Sequence, residues 1–254
     1  MTFKQWILGE GVTRIPTSEY LFGPKHLIML FATIAVTLII SLIFRKKSVK
    51  SQKILLGILI GACILLETVQ KSVNMFKLDV YNFDNVYKVL IPCHFCAIVM
   101  YALIIAYFIK RRGFTNGVTI GGLLASGAYL VHPAVGINTD IITLSQFYTI
   151  ATHCLGFLIC VLLIVFKIAS FKIKEIYQPI IFIGGSVLYA LFLNLVLFPG
   201  SNYMYFVHNE LSFDVNIHLY RLGLLLIVSV FVISFYLPDI IKRVKQKNKL
   251  VKAK

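Results

Sequence analysis

The densest group of reactive side chains in the sequence is the segment Ile91-Pro92-Cys93-His94-Phe95-Cys96. Pro92 suits the first turn of a helix, because the N–H that it lacks would be unpaired there anyway. We therefore expect Cys93 near a helix N-terminus, where the helix dipole and free N–H groups favour a thiolate. In a helix Cys93 and Cys96 would share one face, and His94 would point about 100° away. A general base for either thiol is then expected from another helix.

His153, in a later apolar segment, is the candidate for that base. A thiol with a histidine partner is the minimum required for acyl transfer through a thioester. The competing interpretation is that a membrane cysteine is only a small packing residue. We prefer that interpretation for Cys63, Cys154 and Cys160, so the thiol signal taken alone is weak.

Composition places these residues in a membrane. The chain has 254 residues, of which 59% are hydrophobic and 14% charged, and its mean hydropathy is +0.86. That is too little polar surface to cover a soluble core. The apolar runs reach roughly 18 residues or more, enough to cross a ~30 Å hydrocarbon layer. We predict an all-α bundle of about seven transmembrane helices, at Leu27–Phe44, Ile54–Phe76, Val89–Ile109, Phe114–Val131, Phe147–Ala169, Pro179–Phe198 and Ile217–Leu237.

The positive charges predict an orientation. Most lysines and arginines fall in the loops at 45–53, 110–112 and 167–174 and in the C-terminal tail. The positive-inside rule then places the N-terminus outside and the C-terminus in the cytoplasm of a cell-membrane protein. We expect a short extracytoplasmic segment at 1–26, a transmembrane domain at 27–237 and a basic cytoplasmic tail at 238–254. The net charge of +15 is explained in this way and does not indicate nucleic-acid binding.

In this orientation the polar residues of the helices gather near the outer face. Glu67, Gln70 and Asn74 share a face of the second helix by their spacing. Ionisable groups inside a membrane cost roughly 2.5–3.5 kcal/mol each, so they usually face a cavity. Snorkelling to the interface explains some of them well, namely His26, Lys88 and His132. The deeper ones predict a shared cavity that opens outward, lined from the later helices by His153, Asn194 and Arg221. Arg221 is the expected partner of Glu67, because an unpaired ion would be costly there.

Two motifs indicate a family. Pro92-Cys93-His94, followed by Phe147-Tyr148 and His153, resembles the YwaF and transmembrane protein 164 family, and so does Gly200-Ser201-Asn202-Tyr203-Met204-Tyr205 before the last helix. The seven-helix layout up to Pro238 fits as well. Vertebrate members are acyltransferases that remodel phospholipids with a cysteine nucleophile and a histidine partner. The resemblance implies that Cys93 is the nucleophile and His153 its partner.

Many bacterial relatives have leucine before the histidine and cysteine two positions after it. This chain carries both Cys93 and Cys96, so it stays open which thiol reacts and whether the site is catalytic at all. If it is catalytic, we expect membrane lipids as substrates and no cofactor or metal. Candidate oxyanion donors are His94, Asn194, Asn202 and Arg221. Arg221 or Tyr203 could instead hold a lipid phosphate, and Gln70 and His132 complete the expected supporting set.

Other function classes fit parts of the same pattern. A transporter or small-ligand-binding protein would use the cavity with Glu67 and Arg221, although no internal repeat supports a transporter. The Cys93–Cys96 spacing is a CxxC, but thiol oxidoreduction normally needs a second thiol pair to pass electrons onward. Haem held by His94 and His153, or zinc held by Cys93, Cys96 and His153, is a weaker alternative.

Overall fold

The computed structural model describes residues 6–7, 12–77, 89–133, 136–205, 207 and 215–252. In these ranges the chain is all-α, as predicted, apart from an isolated bridge between Arg14 and Thr139. The expectation for Lys88 lies outside the described residues. No membrane is present, so the orientation of the termini stays a prediction.

Seven principal helices follow the predicted order. Their bounds are α1 Pro24–Phe44, α2 Val49–Lys77, α3 Phe95–Ile109, α4 Arg112–Val131, α5 Leu144–Val165, α6 Tyr177–Phe192 and α7 Ile217–Lys252. A π-helical turn at Leu193–Leu197 continues α6, and short helices lie at Thr17–Tyr20, Ile173–Glu175 and Tyr203–Tyr205. Six of these helical stretches are long and apolar enough to cross a membrane, while α3 has only 15 residues. The protein is therefore a multi-pass membrane protein.

The start of α3 differs from the prediction. Val89 and Leu90 are helical, but the chain then leaves the helix, and His94 is the extended N-cap of a helix that begins at Phe95. Pro92 is the physical reason, because a proline pushes the preceding residue toward an extended conformation. Cys93 thus precedes the helix, and the expectation that Cys93 and Cys96 share a helical face is wrong. At the other end of the chain, α7 continues beyond its predicted end at Leu237, through Pro238.

Helix α4 lies at the centre of the bundle and packs against α3, α5 and α6. Its glycines make this possible. A Cβ atom on Gly121 would lie 2.6 Å from the ring of Phe182, and one on Gly122 would lie 2.4 Å from the sulfur of Cys160. These residues dilute the hydropathy of the helix, yet they allow its neighbours to approach closely.

The start of α1 is fixed to the end of α4 by His26. This histidine is fully buried, and its Nε2 is 2.8 Å from the Leu130 carbonyl oxygen, to which it donates. The backbone N–H of Phe22 donates to its Nδ1 at 2.9 Å. The expectation that His26 snorkels to the interface is therefore wrong: its ring is part of the packed interior.

Candidate functional site

Cys93 lies in the non-helical segment between the short helical stretch at 89–90 and α3. The residue is 7% exposed, and its thiol donates to the Ile91 carbonyl oxygen at 3.4 Å. Irregular backbone at membrane depth is tolerated where protein covers it or where it lines a cavity. The position of Cys93 outside the helix gives its thiol access to groups from the segment after α6.

Tyr203 is the residue from that segment that contacts Cys93. Its hydroxyl forms a hydrogen bond with the Cys93 thiol. Its ring packs edge-to-face against the exposed His94, with 5.2 Å between centroids. Burial, and then the hydrogen bond with Cys93, raises the pKa of Tyr203. The hydroxyl therefore stays protonated near neutral pH and is available as a donor to a thiolate.

Asn194, in the π-helical turn after α6, holds Tyr203 in place. It is 2% exposed, its side-chain oxygen accepts from the Tyr203 N–H at 2.8 Å, and its side-chain nitrogen donates to the Tyr203 carbonyl at 3.0 Å. Such π-helical turns often occur at functional sites. We expected Asn194 as an oxyanion donor, but its amide is engaged with the chain and positions Tyr203. Asn202 accepts from the Val207 N–H at 2.9 Å.

His153 is buried in α5, and its ring has the tautomer that a general base requires, with Nε2 able to accept a proton. Its Nδ1 is 2.7 Å from the Thr149 carbonyl oxygen. A carbonyl only accepts, so Nδ1 carries the proton, and Nε2 of the neutral ring is left with a free lone pair. The ring of Tyr129 stacks on the imidazole with 3.8 Å between centroids and 19° between planes. The orientation of His153 is thereby fixed from α4.

Cys96 lies in the first turn of α3 and has different neighbours from Cys93. It lies within electrostatic range of Glu67, Tyr129 and Tyr148. The described contacts thus divide the two thiols: Cys93 faces the Tyr203 segment, and Cys96 faces the polar groups of α2, α4 and α5. The proton transfer between Cys93 and His153 that the resemblance implies stays a prediction.

Glu67 is a buried carboxylate held by tyrosines. It is 6% exposed and accepts from the hydroxyls of Tyr101, at 3.3 Å, and Tyr148. The ammonium of Lys71, one turn further along α2, lies 5.5 Å from the centroid of the Tyr101 ring. The pairing expected between Glu67 and Arg221, which is half-buried near the start of α7, stays a prediction.

Two further expected residues have clear positions. Gln70 is buried and donates to Asn74 at 3.1 Å and to Ser145 of α5 at 3.2 Å, so the polar face of α2 packs against α5 as its spacing suggests. His132 is the exposed C-cap of α4, a position that fits its interpretation as an interfacial residue.

The sequence argument missed a second polar cluster, at the opposite end of the bundle. Asn116 of α4 is fully buried, accepts from the Ser170 N–H at 2.9 Å and donates to Gln178 at 2.8 Å and to Glu175 at 3.4 Å. Arg112 forms an ion pair with Glu175 at 3.7 Å. Asn116 falls in the glycine-rich helix that hydropathy marks only weakly, so no periodic signal singles it out.

The described residues give no support to a metal site, since no group of three or more histidine, cysteine or acidic side chains among them could hold an ion. The five cysteines are free in this structure.

Comparison with known proteins identifies one family. The family model for the TMEM164 family matches residues 21–239, a range that contains every candidate site residue. No curated protein and no solved structure matches the chain significantly.

Proposed function

The chain belongs to the TMEM164 family, and we propose that it is a membrane-embedded acyltransferase that moves a fatty acyl chain between phospholipid and lysolipid through a cysteine thioester. The observation that carries this proposal is the hydrogen bond between Cys93 and Tyr203. It joins the Pro92-Cys93-His94 motif to the Asn202-Tyr203-Met204-Tyr205 motif. These are two parts of the sequence on which the resemblance rests.

The first half-reaction forms the thioester. Nε2 of His153 takes the proton of the thiol, and the thiolate attacks the ester carbonyl of a phospholipid. The carbon–oxygen ester bond breaks, the alkoxide of the lysolipid takes the proton from His153 and leaves, and the acyl group stays on sulfur. The protonated Tyr203 hydroxyl stabilises the thiolate, and the exposed His94 beside it is a candidate donor to the oxyanion.

The second half-reaction returns the acyl group to lipid. Another lysolipid presents its hydroxyl, His153 takes the hydroxyl proton, and the oxygen attacks the thioester. The carbon–sulfur bond breaks, and the leaving thiolate recovers a proton from His153. No electrons are exchanged overall, so the cycle needs no redox partner.

Cys93 is the proposed nucleophile, and Cys96 is the competing thiol. Contact with Tyr203 favours Cys93, because a hydroxyl that donates to sulfur stabilises the thiolate. The neighbours of Cys96 include the carboxylate of Glu67, which opposes a second negative charge.

We propose further that the site opens toward the outer leaflet of the cell membrane. The positive-inside rule supports this placement, because the loops on the opposite side carry the basic clusters. A cavity between helices suits a substrate that enters from the lipid.

The test compares lipid composition and thiol labelling in cells that express the wild type, Cys93→Ala, Cys96→Ala or His153→Ala. A lipid-like thiol-reactive probe should label the wild type and Cys96→Ala, whereas Cys93→Ala should lose both labelling and acyl remodelling. Cys160→Ala is the matched control, because Cys160 is fully buried in the core. Unchanged acyl composition in all three site variants, with labelling intact in Cys93→Ala, would contradict the proposal.

The second candidate is a transporter or small-ligand-binding protein, favoured by the buried carboxylate of Glu67. On that hypothesis Glu67→Gln or Arg221→Ala abolishes uptake while Cys93→Ala leaves it intact. The acyltransferase hypothesis predicts instead that Cys93→Ala abolishes activity.

A further inference from the structure

A lipid-sized groove runs along one face of α6. It has a volume of about 680 Å³ and is lined by α3, the start of α4 and α6, with Ile98, Phe114, Ile181, Phe182, Gly185 and Ser186 along its length. This volume is within the range of ~300–1,000 Å³ that is typical of ligand pockets. Ile181 is 67% exposed, so the groove is open to the surface that faces lipid.

The upper end of the groove points toward the segment that carries the candidate nucleophile. Tyr189 lines this end and is within electrostatic range of the Cys93 thiol. Ile98 lines the opposite wall, and its N–H donates to the His94 carbonyl at 3.0 Å. The groove thus begins within one helical turn of His94, the residue after Cys93.

The lower end of the groove is polar. Arg111 and Gln178 line it, and Gln178 is held by Asn116 at 2.8 Å. A Cβ atom on Gly113 would lie 3.1 Å from the Gln178 side-chain nitrogen, so the two residues pack directly together. An apolar chain would have to bury these polar groups in order to extend further, which is unfavourable.

The groove extends over more than half of the thickness of the hydrocarbon layer. Tyr177 and Tyr189 mark its ends along α6, and the helix between them rises about 18 Å at 1.5 Å per residue. This is more than half of the ~30 Å hydrocarbon layer, so the groove continues past the mid-plane toward the face that carries Arg111. A long acyl chain held at Cys93 would extend along it toward the polar end.

We propose that this groove holds the acyl chain being transferred at Cys93, and that its polar end selects for chain length. This inference rests on the proposed acyltransferase function and names the part of the substrate that the groove recognises.

Two adjacent glycines allow a matched test. A Cβ atom on Gly184 or on Gly185 would meet nothing within 4 Å, so a side chain at either position starts in open space. Gly185 lines the groove and Gly184 does not. Gly185 is also one helical turn from Tyr189, so a leucine there would leave space only for a short acyl chain.

The experiment measures acyl transfer by purified wild type, Gly185→Leu and Gly184→Leu from phosphatidylcholines with short or long acyl chains. We expect Gly185→Leu to lower long-chain transfer by about tenfold or more, because several methylene groups lose their binding surface. Short-chain transfer should stay near the wild-type rate, and Gly184→Leu should match the wild type for both donors. Equal long-to-short ratios in the two variants, or loss of both donors in Gly185→Leu alone, would overturn the inference.

A second measurement separates failure of the groove from failure of the proposed function. A phospholipid with a photoreactive group in its acyl chain should label the peptide that contains Tyr177–Phe192 in the wild type and in Gly184→Leu, but far less in Gly185→Leu. If the wild type transfers no acyl chain yet shows this labelling pattern, the proposed acyltransferase function is contradicted, and binding of an acyl chain in the groove is supported. Equal labelling of both variants contradicts the groove, whatever the activity.

Discussion

The hydroxyl of Tyr203 forms a hydrogen bond with the thiol of Cys93 and so connects the segment after α6 to the segment before α3. Neither residue lies in a membrane-spanning helix: Cys93 is in a non-helical stretch, and Tyr203 is in a single 3₁₀ turn. Asn194 fixes the backbone of Tyr203 on both sides. The contact between the two motifs is therefore built by irregular segments that the bundle supports.

Replacement of Tyr203 by phenylalanine should slow the reaction of Cys93. The hydroxyl donates to a thiolate, and a hydrogen bond to a charged group contributes about 1.5–3 kcal/mol, or roughly tenfold or more in rate. The rate of labelling by a thiol-reactive lipid probe measures this effect. Tyr236→Phe is the control, because Tyr236 donates to the Glu175 carbonyl at the opposite end of the bundle. Equal labelling rates in the two variants would show that Tyr203 does not act on the thiol.

Gly122→Ala should destabilise the bundle, and Cys160→Ala should rescue it. The added methyl group would lie 2.4 Å from the Cys160 sulfur, 3.2 Å from Val99 Cγ1 and 3.9 Å from the Cys160 Cβ, so removal of the sulfur relieves the shortest of these contacts. Overpacking of this kind costs about 1–3 kcal/mol. Thermal unfolding of the purified protein in detergent measures the single and double variants.

The same series contains its own control. Gly127→Ala adds a methyl group on α4 that meets nothing within 4 Å, so it should stabilise the protein by about 0.5–1 kcal/mol through helix propensity. Strictly additive effects of Gly122→Ala and Cys160→Ala would contradict the packing described for α4.

Asn116→Ala should lower stability without altering the chemistry at Cys93. The substitution leaves the Ser170 N–H and the Gln178 side chain without their buried partner, at a cost of about 1–3 kcal/mol for each unsatisfied group. Thr119→Val on the same helix removes only a hydrogen bond to the Thr115 carbonyl and should have a smaller effect. The measurement combines unfolding in detergent with probe labelling per folded molecule. Loss of labelling in folded Asn116→Ala would show that this cluster affects the reactivity of Cys93.

The predicted orientation can be tested with two isosteric substitutions. Ser18→Cys and Ser48→Cys both introduce a thiol at an exposed position, before α1 and between α1 and α2. A membrane-impermeant thiol reagent applied to intact cells should label Ser18→Cys above the level of the unsubstituted protein, and Ser48→Cys only after permeabilisation. The opposite pattern would reverse the orientation.

The number and order of the helices were accessible from the sequence, because long apolar runs and clustered lysines and arginines depend on local composition. The face that carries Glu67 and Gln70 was equally accessible from its spacing. The partners of Glu67 were not. Tyr101 and Tyr148 come from two other helices, and the rotation of each helix is decided by packing rather than by its own sequence.

The break before α3 and the role of α4 show where sequence reasoning failed. Pro92 is compatible both with the first turn of a helix and with an extended segment before one, and only the surrounding structure distinguishes these. In α4, Gly121 and Gly122 lower the hydropathy that marks a membrane span. The same glycines allow the close contacts that place α4 at the centre.

The short length of α3 has a consequence for the surrounding bilayer. Its 15 residues span only about 22 Å, less than the ~30 Å hydrocarbon layer. With Ile109 at one boundary of that layer, Cys93 lies several ångströms below the other, near the depth at which acyl esters begin. Hydrophobic mismatch of this kind is relieved by local thinning of the membrane. Bilayer thickness therefore becomes a physical variable that decides whether a lipid ester and the thiol meet at the same height.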